Sequence, residues 1–147
     1  MSRESYEQLL QKVQTISDIF GAAALLGWDQ RTHMPANGAA VRSERLATLV
    51  SIGHDMMTSD EMGDVIDKAA AHAEAQGPES FEAALYRVVK RRYDKTRLIP
   101  TELSVERQRA SSTGYIAWRK AREASDYAQF RDALKHNIEL TGETVDA

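Results

Sequence analysis

Apolar side chains recur along this chain at steps of three and four residues, the spacing that lines one face of an α-helix. Tyr6, Leu9, Leu10, Val13, Ile16 and Phe20 form the first such stripe. They predict a helix over residues 5–26, with Gly27 as its stop. Residues 28–37 read as a connection, because Pro35 pushes Met34 away from helical geometry. A second helix is predicted over residues 38–57, where Val41, Leu46, Leu49, Val50, Ile52, Met56 and Met57 make a broad apolar face. Thr58 with Glu61 reads as a capping box that opens a third, Ala-rich helix over residues 59–76. Gly77-Pro78 breaks it and starts a fourth over residues 78–97, with Phe81, Ala84, Leu85, Val88 and Val89 on the buried side. After Ile99-Pro100 a fifth helix runs to residue 124. Its stripe is Leu103, Ala110, Gly114, Ala117, Trp118 and Ala121, which puts Trp118 in the core. Asp126 with Gln129 caps a last helix carrying Tyr127, Phe130, Leu134 and Ile138, whose pattern weakens after Leu140.

Runs of β-branched residues in alternation are missing. The pattern therefore predicts an all-α fold, about six helices in an antiparallel array, as a single domain over residues 1–147. At 147 residues the chain is long enough to bury a core without metals or disulfides. Lys and Arg number 19 and Asp and Glu 22, a net charge of −3 that argues against a nucleic-acid partner. Cysteine is absent, so no thiolate nucleophile and no Cys-ligated metal exists, and a cytoplasmic location is expected. The longest apolar run, residues 19–28, is half of what a membrane helix needs (about 20 residues), so no membrane partner is expected. The first residues lack the basic start and apolar stretch of an export signal.

The search for chemistry is mostly negative. His33, His54, His72 and His136 never fall three or four residues apart, and a His-Glu-x-x-His motif is absent. Such histidines are expected at solvated or capping positions. Glycine loops that cradle phosphate and the Gly-x-Ser-x-Gly elbow are absent as well. Lys90, Arg91, Arg92, Lys95 and Arg97 form one basic cluster, read as a helix surface whose charge suits the negative end of the helix dipole. The chain thus offers no catalytic and no metal-ligating residue of its own.

One segment stands apart: Leu26-Gly27-Trp28-Asp29-Gln30-Arg31-Thr32-His33-Met34-Pro35. Asp29 and Thr32 are three apart, a spacing at which a short polar side chain accepts a turn's backbone amide. Trp28 and Met34 are expected to anchor that turn on the core. The segment resembles the signature of the M32 family of metallocarboxypeptidases, the carboxypeptidase Taq group, in which a first helix leads into Leu-x-Trp-Asp-x-x-Thr-x-Met-Pro. Residues 38–49, the block Ile99-Pro100-Thr101-Glu102-Leu103, and Ala117-Trp118-Arg119 with Ala121-Arg122 and Ser125-Asp126-Tyr127 continue the resemblance in order.

The resemblance implies a helical carboxypeptidase of zincin-like type that releases single residues from peptide C-termini with a divalent metal, zinc or cobalt. This chain corresponds to its N-terminal wall or lid and ends before the catalytic half. No cofactor is expected in the chain itself, and it is expected to be inactive alone. Its partners would be the catalytic half or a second copy of itself in a homodimer, with a peptide as substrate. Trp28, Asp29, Thr32 and Met34 are the candidate groove or turn-clamp residues. The alternative is a stand-alone helical module that binds a peptide or protein without catalysis.

Overall fold

The computed structural model describes residues 2–147, apart from the side chains of Ser2 and Ala36. Its elements are α1 (Ser2–Thr32), a 3-10 turn (Ala36–Gly38), α2 (Ala39–Thr58), α3 (Asp60–Ala75), α4 (Phe81–Thr96), α5 (Thr101–Glu123) and α6 (Ala128–Asp146). The fold is all-α, with no strand among the described residues. α1 packs against α2 and α3, α4 leans mainly on α3, α2 carries α5, and α5 carries α6.

The core follows the first apolar stripe. Tyr6, Leu9 and Ile16 of α1 meet Met57 of α2, Met62, Val65, Ile66, Ala69 and Ala73 of α3, and Val89 and Tyr93 of α4. Small residues let the helices approach: a Cβ on Gly63 would sit 2.5 Å from the Tyr93 hydroxyl oxygen. Burying Leu9 completely contributes about 1.5–3 kcal/mol.

The helix starts follow the predicted ones at Pro100 and Asp126 and are shifted at α3 and α4. Ser59, not Thr58, caps α3: its Oγ accepts from the Met62 amide at 3.1 Å. Thr58 is still helical, and its hydroxyl donates back to the His54 carbonyl. Ser59 has left the helix (φ −62°, ψ 149°), the extended geometry in which a cap side chain can turn back. Ser80 caps α4 in the same way, so that helix starts three residues after Pro78. The Asp126 carboxylate accepts from the Ala128 amide and from Gln129 Nε2.

Three expectations fail. Gly27 does not stop α1, which continues to Thr32. A lone glycine costs a helix only about 1 kcal/mol relative to alanine, and the good helix formers around it offset that. Trp118 is 40% exposed rather than core, and Phe81, Val88, Tyr127 and Ile138 are also exposed. Leu10, Val41 and Ile52, predicted on the apolar faces of α1 and α2, are exposed as well. Finally, α6 does not fade after Leu140. It runs to Asp146, with Leu140 buried and the hydroxyls of Thr141 and Thr144 donating to carbonyls four residues back. None of the helices is long and apolar enough to cross a membrane.

Candidate functional site

The distinctive segment forms the end of α1 and its exit. The Asp29 carbonyl accepts from the amides of His33 and Met34, at 3.0 and 2.9 Å, which closes the last helical turn. Pro35 then ends the helix, and the 3-10 turn starts with the Gly38 amide donating to the Pro35 carbonyl. Met34 folds over this turn, and a Cβ on Gly38 would lie 3.1 Å from its Cγ.

The predicted Asp29–Thr32 turn bond is not what forms. Because both residues are helical, the Thr32 hydroxyl donates to the Trp28 carbonyl at 2.9 Å instead. The Asp29 carboxylate turns to α2, where Arg42 Nη1 lies 2.6 Å from its Oδ2 and also donates to the Leu26 carbonyl at 2.8 Å. An acidic side chain at a helix C-terminus is unfavourable with the dipole, and Arg42 offsets it. Arg42 is thus the clamp between α1 and α2. No spacing rule across a loop would have picked it out.

Trp28 does not anchor the turn on the core. It is 58% exposed, with its ring against His33 at 5.3 Å, and stands at the rim of a groove of about 710 Å3 between α1, α2 and α5. Phe20, Ala23 and Gly27 line the groove from α1, Leu46 and Val50 from α2, and Ser111, Ser112 and Tyr115 from α5. Gln30 lines it too and is 7% exposed. Its Nε2 donates to the Ser112 carbonyl at 3.4 Å. Sequence reasoning missed Gln30, although it falls a helical step beyond Gly27 on the core stripe. Met34 faces a smaller cleft of about 220 Å3, which Gln30 and Tyr115 also line. The structure therefore brings Trp28, Gln30 and Met34 to one end of α1, and uses Asp29 and Thr32 to hold that end together.

Elsewhere the polar chemistry is structural. His54 is buried rather than solvated, since it lies on the face of α2 that α5 covers. Thr101 Oγ1 donates to Asp55 at 2.7 Å and lies 3.0 Å from His54 Nδ1, which leaves the buried Nε2 without a partner. Arg109 grips Glu44 through two hydrogen bonds, which hold the Glu44 carboxyl below its ordinary pKa. In the basic cluster, Lys90 pairs with Asp94, Arg92 covers the Phe20 ring and Arg97 covers the Tyr93 ring. These cations are dispersed around α4 rather than aligned for a polyanion.

A family model described as carboxypeptidase Taq (M32) metallopeptidase matches residues 8–147. The chain belongs to that family. Thermostable carboxypeptidase 1 of Thermus thermophilus is 31% identical over 142 residues, which are 97% of this chain and 28% of that protein. Carboxypeptidase 1 of Bacillus subtilis is 29% identical over 95% of this chain and 28% of its own length. Among solved structures, that of BsuCP superposes with a TM-score of 0.89 at 25% identity, covering 97% of this chain and 28% of that one. The Pyrococcus furiosus carboxypeptidase (apo-Mg) gives 0.68 at 26%, covering 99% and 29%. This M32 chain thus spans less than a third of the relatives it matches. Its described residues gather no group of three or more His, Asp or Glu side chains that could hold a metal ion. The four histidines lie apart on α2, α3, α6 and the exit of α1. The residues present therefore do not fit a metal centre.

Proposed function

We propose that this chain forms a helical wall of an M32 carboxypeptidase that releases single residues from the free C-terminus of peptides, and that it hydrolyses nothing alone. The observation that carries this reading is the family match over residues 8–147, which covers only 28% of the relatives' length, together with described residues that do not fit a metal. A divalent ion, zinc or cobalt, belongs to the proposed enzyme, but no step through it is assigned to these residues. Their part is to bound the substrate groove, shape access and exclude water, as walls and lids of active sites do. The same reading puts the enzyme in the cytoplasm, which the lack of cysteine supports.

The test is a full-length chimera of Bacillus subtilis carboxypeptidase 1 in which this chain replaces the matched stretch. Metal-dependent release of C-terminal residues is expected from the chimera and not from the isolated chain. Activity of the isolated chain, or a folded but inactive chimera, would overturn the reading.

A further inference from the structure

Most polar side chains of the helices are engaged in structure, and one row on α5 is not. Ser104, Arg107, Gln108 and Ser111 fall at steps of three and four, so they share one face of α5. With Asn137 and Thr141 of α6 they line a pocket of about 360 Å3, which no carboxylate and no large apolar side chain enters. The other arginines of α5 are taken. Arg109 grips Glu44, Arg119 pairs with Glu123, and Arg122 covers the Trp118 ring. Among the described residues Arg107 has no ion pair, and the hydroxyls of Ser104 and Ser111 have no hydrogen bond. Thr113 on the same helix, by contrast, donates back to the Arg109 carbonyl. Gln108 Nε2 gives one hydrogen to Ser112 Oγ at 3.2 Å and has a second to give. The α6 wall is fixed. Asn137 Nδ2 donates to the Ala110 and Ala133 carbonyls, and the Thr141 hydroxyl donates to the Asn137 carbonyl.

We propose that this α5–α6 pocket binds a phosphate group, either the free ion or one carried on a small molecule. The Arg107 guanidinium supplies the charge and a planar fork of N–H donors. Ser104 Oγ, Ser111 Oγ and the second Gln108 amide hydrogen supply three further donors on the same face. A carboxylate has two oxygens, and the fork alone satisfies it in bidentate pairing. A phosphate group has oxygens left over after that pairing, and the two hydroxyls and the amide provide for them. A cation is excluded by Arg107, the one formal charge in the lining. The pocket lies at the small end of ligand sites, about 300–1,000 Å3, which suits a phosphate with a short organic stem. The proposal is independent of catalysis, so its test needs no peptidase assay.

The 147-residue chain is titrated with sodium phosphate near neutral pH, at an ionic strength matched with sodium chloride, and followed by amide proton–nitrogen NMR spectra. Saturable shifts are expected at the Arg107 Nε–H and at the amides of residues 104–111 and 137–141, with half-saturation at about 1 mM. Arg107→Gln should weaken binding at least about tenfold, the loss of one charged partner. Arg45→Gln, at an exposed arginine of α2, should leave it unchanged. Joint Ser104→Ala and Ser111→Ala should weaken phosphate binding about threefold or more and leave the weaker binding of sodium acetate as it was. Glycerol phosphate tells the two sources apart. Tighter binding than the inorganic ion assigns the pocket to a small phosphorylated molecule, and equal or weaker binding assigns it to free phosphate; both support the proposal. A response no different from chloride, an undiminished response in Arg107→Gln, or acetate binding as tight as phosphate would each overturn it. Arg107 and Ser111 are exposed, so these variants should keep the fold. If Arg107→Gln melts without cooperativity, the double serine variant decides, and unchanged phosphate binding there overturns the proposal.

Discussion

The two ends of α1 live in different surroundings. Around Leu9 and Ile16, three other helices close over the stripe, and Leu9, Met62 and Ile66 are almost wholly buried. Around Gly27 the stripe lines an open groove, Gln30 is buried against α5, and α5 and α6 bury mainly small residues: Ala110, Ser112, Gly114 and Ala121, with Leu140 the one large aliphatic. The first region buries large apolar side chains from four helices, and the second buries mainly small ones. A helix can thus be fully formed along its length while its tertiary support is not, because backbone hydrogen bonds are local and apolar burial is not.

Core substitutions give the sharpest test of this contrast. Leu9→Ala should cost about 2–5 kcal/mol and lower the global urea midpoint, because the site is enclosed on all sides. Leu140→Ala should leave that midpoint nearly in place and speed amide exchange within α6 alone. If both lower the midpoint equally, the two regions are one cooperative unit and the contrast is broken.

Arg42→Met comes next. It leaves the Asp29 carboxylate and the Leu26 carbonyl without their donor, and should cost about 1.5–3 kcal/mol in thermal unfolding. The same variant should speed exchange of the His33 and Met34 amides, which close the last turn of α1.

Two glycines sharpen the comparison in opposite directions. Gly63→Ala collides with the buried Tyr93 hydroxyl and should destabilise by about 1–3 kcal/mol. Gly27→Ala meets nothing within 4 Å and should stabilise by up to about 1 kcal/mol, as alanine does in an open helix position. Calorimetric melts of the two variants check both signs.

The smallest effect concerns pH. Glu44 titrates below its ordinary value because Arg109 hydrogen-bonds its charged form. Such a group adds stability above its unfolded pKa, and that stability is lost as pH falls through the folded one. Glu44→Gln should therefore flatten the fall of Tm below about pH 4.5 and leave Tm near neutrality almost unchanged, since the pair is exposed.

Much of this was legible in the chain. The stripe from Tyr6 to Phe20 marked the core except at Leu10, which is exposed, because its spacing matches a helix buried along one side. Boundaries were read well where a cap or proline has a local mechanism, as at Pro100, and badly at Gly27, where the penalty of one residue is outweighed by its neighbours. Exposure was the weakest reading. Trp118 and Phe81 look like core by spacing, but spacing cannot tell a covered face from one that this stretch leaves bare. At the site, Trp28, Asp29 and Met34 announced themselves by their unusual company. Arg42 and Gln30 did not, since one acts across a loop and the other looks like an ordinary polar residue on a helix.

The length of α1 has a mechanical consequence. Thirty-one residues make a stiff rod of about 46 Å, and it is held near both ends. Leu9 and Ile16 fix one end among the core helices, and Arg42 and the bond from Gln30 to the Ser112 carbonyl fix the other to α2 and α5. Two anchors on one rod tie the core and the groove to a common axis, so the α1 wall of the groove keeps its distance from the core.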